Sequence, residues 1–192
     1  MNQRVQFSTK PTQSPTPSPT TGREASGILE QLEAGVLKRG QTFAEMDIGD
    51  PRLAALEWIL HHDGLQLVSD DSNLYQRFVL AIMAYSFDSF AWYVCGSLGE
   101  NFNFTEYSYF PTSECSLNNA YTNVTESYGV WLSSTSECTW YGVICTPDGV
   151  IRGIELVMND LIGQIPLELS AMGYLQYLGM YCGMIFNLFS FS

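Results

Sequence analysis

Five cysteines, two histidines and two Asn-x-Thr triplets are the residues of this 192-residue chain whose types and spacing invite a chemical reading. The cysteines fall at 95, 115, 138, 145 and 182, none of them in a Cys-x-x-Cys pair, and the histidines are the adjacent His61 and His62. Zinc fingers and dithiol redox sites need closely paired ligands, so both are disfavoured. Adjacent positions on a helix point about 100° apart, and imidazolium suits the helix C-terminus that His61 and His62 are expected to occupy. No Gly-x-Ser-x-Gly, phosphate-binding glycine loop or kinase His-Arg-Asp set occurs, and no histidine is placed near a nucleophile. The expectation is therefore no catalytic residue, no metal and no cofactor: not an enzyme.

Asn103-Phe104-Thr105 and Asn123-Val124-Thr125 are N-glycosylation acceptor patterns flanked by cysteines, and together they point to an oxidising, secretory environment. A Cys95 to Cys115 bridge across that segment would contribute about 3 kcal/mol by chain entropy; the alternative is two buried thiols. Met1 to Lys10 is polar and supplies no signal-peptide core. An extracellular or cell-membrane location, on the ectodomain side, is expected, with the targeting segment missing. The net charge is −12, and beyond Leu53 the basic residues are Arg77 and Arg152 alone. That argues against nucleic acid and an anionic bilayer, both of which need clustered bases. A neutral or cationic ligand suits the charge better.

The elements that must hold these residues follow from hydrophobic period. Residues 11–21 are Pro, Ser, Thr and Gln without an apolar side chain and read as an extended stalk. From Glu24 to Arg39, Ile28, Leu29, Leu32, Val36 and Leu37 recur at helical spacing and Gly40 reads as a stop. Asp50-Pro51 caps and opens a second helix running through Leu53, Leu56, Ile59 and Leu60. Ser72 caps a third through Leu74, Phe78, Ala81, Ile82 and Tyr85, whose densest apolar run is too short to span a bilayer. After Asp88 the chain loses sustained periodicity until Tyr128 and reads as an irregular, loop-rich segment.

Shifting the chain from Ile151 by 24 places superimposes Ile151 on Leu175, Ile154 on Leu178 and Leu156 on Met180. A repeat period of this size points to a solenoid. Ile154 and Leu156 would face inward on a short strand, leaving Gly153, Glu155 and Val157, then Tyr177, Gly179 and Tyr181, to line the ligand-binding concave face. Asn159 would turn inward at the strand end, with Gly163 next, and Pro166 where the chain departs from the ladder. Upstream, Trp131 and the run Cys138 to Cys145 supply a bridged aromatic lid; that bridge would contribute about 2.5 kcal/mol.

The pattern Cys-x-Trp-x-Gly-Val-x-Cys, followed by a 24-residue unit containing Asn-x-Leu-x-Gly-x-Ile-Pro, resembles the N-terminal cap and first repeats of plant-type leucine-rich-repeat receptors. Asp50-Pro51-Arg52, Leu56-Glu57-Trp58, Leu74-Tyr75-Gln76-Arg77 and Trp131-Leu132-Ser133 more narrowly resemble the diatom-type leucine-rich-repeat proteins. That resemblance implies a membrane-anchored form with a transmembrane helix before the stalk. The fold expected is α+β, with N-terminal helices and a disulfide-bridged cap leading into a truncated leucine-rich-repeat solenoid of the α/β-horseshoe type. Residues 1–22 would be stalk, 23–68 a helical segment, 69–149 the cap with its loop-rich insertion, and 150–192 one complete and one partial repeat. Gly183 and Asn187 break the second unit's pattern, and residues 169–192 carry no charge. A prematurely ending chain would self-associate through its uncovered last repeat, with the odd Cys182 adding to that tendency. The function expected is recognition of a protein, peptide or carbohydrate by a receptor-like signalling module. A structural or adhesive surface glycoprotein, and a truncated product without independent function, are the alternatives.

Overall fold

The structure, a computed structural model, describes residues 24–89, 92, 95, 114–119, 124–157, 159, 161–181 and 187–190. The stalk, Asn103, Asn123, Cys182 and the side chains of Cys115, Val157 and Tyr181 lie outside the described residues. Helix α1 spans Ala25–Gly35 and buries Ile28 and Leu32. It stops at Gly35, a weak helix former, and not at Gly40; Val36 and Leu37 are buried in the turn that follows. Helix α2, Pro51–Glu57, begins as its sequence requires, with Asp50 accepting the Arg52 backbone N–H at 2.9 Å and proline in the first turn. It widens into a π turn, Trp58–His62, closed by the Asp63 N–H on the Trp58 carbonyl at 2.8 Å. Helix α3, Leu74–Ser86, is capped one residue later than expected, at Asn73, whose side chain makes no capping bond. Its residues Arg77 to Ala84 are buried without a break, as in a helix enclosed on every side. Among the described residues no helix is long and apolar enough to cross a membrane.

Two sheets follow. Strands β1, Glu114–Asn119, and β2, Val124–Gly129, form an antiparallel hairpin within the segment expected to be irregular. In ECSLNN and VTESYG the alternation rests on Cys115 and Leu117 and on Val124 and Tyr128 with Glu126 between them, too short and interrupted for the period-2 signal to stand out. The second sheet orders β3, Val143–Cys145, β4, Ile151–Val157, β5, Tyr177–Tyr181, and β6, Asn187–Ser190, side by side. β4 and β5 are parallel, with Gly153 facing Tyr177, Ile154 facing Leu178 and Val157 facing Tyr181, an offset of 24 throughout. β6, for which the sequence offers no pattern, returns antiparallel along β5. One hydrophobic core runs from Ile28 to Leu178, so the boundaries drawn at 68 and 149 divide segments of a single core.

At its centre sits Arg77, with none of its side chain exposed. Its guanidinium forks onto Asp63 through bonds of 2.9 and 2.7 Å and reaches Glu137 at 3.1 Å. The remaining donors meet the Ser133 and Thr135 carbonyls at 2.7 and 2.9 Å. The rings of Trp58 and Trp140 lie 5.2 and 4.8 Å from its central carbon, a cation–π sandwich. Trp58, Trp140, Trp131 and Trp92, all the tryptophans of the chain, continue from it in successive ring contacts of 6.1, 5.6 and 5.1 Å. The neighbouring Gln76 donates to Glu137 at 2.6 Å and to the Gly149 carbonyl at 2.8 Å, and accepts the Ile151 N–H at 3.1 Å. Helix α3 thus fastens the bridged loop and the start of β4 at once.

Removing the guanidinium leaves Asp63 and Glu137 buried without a counter-charge. Arg77→Met is expected to lower unfolding free energy by about 3–5 kcal/mol. Urea unfolding with disulfides intact measures it, and a loss below about 1 kcal/mol would contradict the network's role.

Candidate functional site

The sheet face turned away from the core is the candidate binding surface, and a bulge sets its phase. Ile144 pairs with Gly153 but Cys145 with Ile151, which leaves Arg152 as the extra residue on β4. Beyond it the alternation is regular: Ile154 and Leu156 are fully buried in the core, while Glu155 is half-buried on the opposite side. The Glu155 N–H donates to the Gly142 carbonyl at 2.7 Å, fixing the strand beside the bridged loop.

Gly153 and Gly179, expected to offer open surface, are buried instead. The Tyr177 ring lies down along the strands over both. A Cβ at Gly153 would stand 3.5 Å from Tyr177 Cδ1, and one at Gly179 would be 2.5 Å from the Tyr177 hydroxyl. The two glycines therefore form a floor that admits the ring, and Ile144 of β3 closes one side, 3.4 Å from the Gly153 position. Burial raises the Tyr177 phenol above its ordinary pKa, and the Glu155 carboxylate adds to the effect. A carboxylate acceptor and a phenol donor thus share a flat patch, suited to hydrogen-bond donors or a cation. The sequence flags Glu155 and Tyr177 but misses Ile144, which only the antiparallel pairing of β3 brings to the face. Val157 and Tyr181 continue the same ladder by register.

The supporting residues fall where they can hold this face. Cys138 and Cys145 are bridged, with Cα atoms 5.6 Å apart. Cys95 is disulfide-bonded and buried, which removes the buried-thiol alternative for it; its partner lies outside the described side chains. Asn159 is buried. The ladder is left after Val157, ahead of Pro166, which instead opens the 3-10 turn Leu167–Ala171. Gly163 has φ +151°, and a Cβ there would collide with the Ser86 carbonyl at the end of α3. Arg52 links the same turn to α2: it pairs with Asp50 and reaches Glu168 at 3.3 Å, and the Arg52 guanidinium holds the Asp50 carboxyl below its usual range. His61 and His62 stay on the π turn, with His61 3.8 Å from Glu57. Among the described residues no three metal-ligating side chains converge.

Two measurements check this geometry. Gly163→Ala is expected to destabilise by about 1–3 kcal/mol through strain and the Ser86 collision, whereas Gly173→Ala, with open space around it, shifts stability by less than about 0.5 kcal/mol; equal effects would contradict the close approach. In a difference titration against Tyr177→Phe, the phenol is expected to ionise above about 10, and Glu155→Gln to bring the midpoint down by the lesser part of the shift. A midpoint at or below the ordinary value would show that the ring does not lie as described. No family model, curated protein or solved structure matches this chain.

Proposed function

We propose that the chain is a leucine-rich-repeat recognition module: residues 69–149 serve as its N-terminal cap, β4 and β5 as its first strands, and the face carrying Glu155 and Tyr177 as its ligand surface. The observation that supports this most directly is the parallel ladder whose partners stand 24 residues apart, the period at which the apolar residues of the sequence recur. A parallel strand pair needs a long crossover, and a unit of fixed length supplies one at each step. On the other side of β4, the disulfide-bridged loop lays β3 antiparallel and covers the end of the ladder. The module binds and does not catalyse. Its partner is a neutral or cationic protein, peptide or carbohydrate, met on the outer side of a membrane or beyond it, where the disulfides are maintained.

An array of immobilised peptides and glycans, probed with the disulfide-bonded chain, tests the reading. Binding to a neutral or basic class is expected. Glu155→Ala and Tyr177→Ala should each weaken it about tenfold or more, and Leu65→Ala, exposed elsewhere, should leave it unchanged. No binding on the array, or binding indifferent to both face substitutions, would overturn it.

A further inference from the structure

Strand register puts three side chains next to one another on the candidate face. Ile144 pairs with Gly153 and Gly153 with Tyr177, while Glu155 pairs with Gly179 one row further on. Tyr177 leans from the first row into the second, since its hydroxyl would stand 2.5 Å from a Cβ at Gly179. Glu155 therefore flanks the hydroxyl end of the ring, and Ile144 flanks the end beside Gly153. One face of the ring rests on the glycine floor, yet the residue is only half-buried. The exposure that remains belongs to the opposite face. That face carries the negative end of the ring quadrupole, Glu155 a full negative charge, and the chain as a whole a net charge of −12. Arg152, the only cation in the sequence of β3, β4 and β5, is the bulged residue and stands outside the alternation that sets Glu155 on this side.

Resting on the reading of this face as the ligand surface, we propose that it takes an arginine side chain of a peptide or protein partner. The guanidinium stacks on the open face of Tyr177, its donor edge meets the Glu155 carboxylate, and its methylene stem runs along Ile144. Chemistry selects arginine among the ligands that the charge admits. A neutral sugar can stack on the ring and donate hydroxyls to Glu155, but it draws nothing from the negative sign that ring, carboxylate and chain share. A lysine ammonium is a compact, strongly hydrated point charge without a flat face to lay on the ring. Quaternary ammonium groups are held by aromatic cages, whereas this site offers one ring face. A guanidinium is planar and weakly hydrated, so its plane can lie on the ring while its fork of donors points sideways to a carboxylate. A ring and a carboxylate side by side on a flat strand pair match both of these surfaces at once.

Matched peptides Gly-Gly-X-Gly-Gly, blocked at both ends and carrying arginine, lysine or citrulline at X, are titrated into the full disulfide-bonded chain and followed by NMR. The arginine peptide is expected to bind with a Kd of about 1 mM or below, about tenfold or more tighter than the other two. Its δ-methylene protons should move upfield under the ring, and added salt should weaken the complex. Glu155→Gln and Tyr177→Leu should each weaken it about tenfold or more, while Tyr177→Phe, which keeps the ring, costs less than about threefold. The proposal is overturned by lysine or citrulline binding as tightly as arginine, or by no arginine binding up to about 10 mM. Binding indifferent to Glu155→Gln and Tyr177→Leu, or lost equally with Tyr177→Phe, also overturns it. If the peptide and glycan array still yields a ligand that Glu155→Ala and Tyr177→Ala release, the choice of arginine alone falls and the ligand surface stands. If the array yields none, both fall.

Discussion

A guanidinium shut away from water has to be neutralised and hydrogen-bonded where it sits, and the arrangement around Arg77 meets that demand with groups from two separated stretches of chain, residues 58–63 and 133–140. Asp63 comes from the end of the π turn, Glu137 from the bridged loop, and two carbonyls from residues 133 and 135, while Trp58 and Trp140 close the faces. Each has a fixed place because the guanidinium's donors point in fixed directions. An apolar side chain in the same volume would hold the helices together but would not dictate which loop lies against which. The position of the bridged loop over β4, and hence of Glu155, follows from that dictation through Gln76 and Gly149.

Much of this is visible in the sequence where local chemistry or period decides the outcome. Asp50-Pro51 announces α2 because a side-chain cap and a ring-fixed φ act within three residues. The ladder register is visible because inward residues must repeat with the unit. Arg77 is visible only as one of two bases in the last 139 positions, a lone charge inside the apolar run of α3, and the usual rule places arginine outside. Its burial depends on Asp63 and Glu137, 14 and 60 residues away, which no local pattern connects. The β1–β2 hairpin is hidden for a different reason: its apolar alternation, Cys115 and Leu117 across from Val124 and Tyr128, is short and broken by Glu126.

The candidate face was legible in its phase but not in its relief. Alternation assigns Gly153, Glu155, Tyr177 and Gly179 to one side, yet it does not show that the tyrosine lies flat on two glycines. What looks in sequence like four separate surface positions is, in space, one ring on a floor with a carboxylate beside it. The two glycines act by making room, and the chemistry is left to Glu155 and Tyr177.

β6 carries a consequence for the edge of the sheet. A parallel ladder exposes, on its last strand, a row of unused amide and carbonyl groups that would accept any extended segment, native or foreign. Here Asn187–Ser190 already takes up that row along β5. A further unit of the same kind, which would have to run parallel beside β5, meets that row occupied and must displace β6 before it can pair there. Extension of the parallel ladder is in this way converted from addition to displacement, and β6, antiparallel, becomes the outermost strand of the sheet.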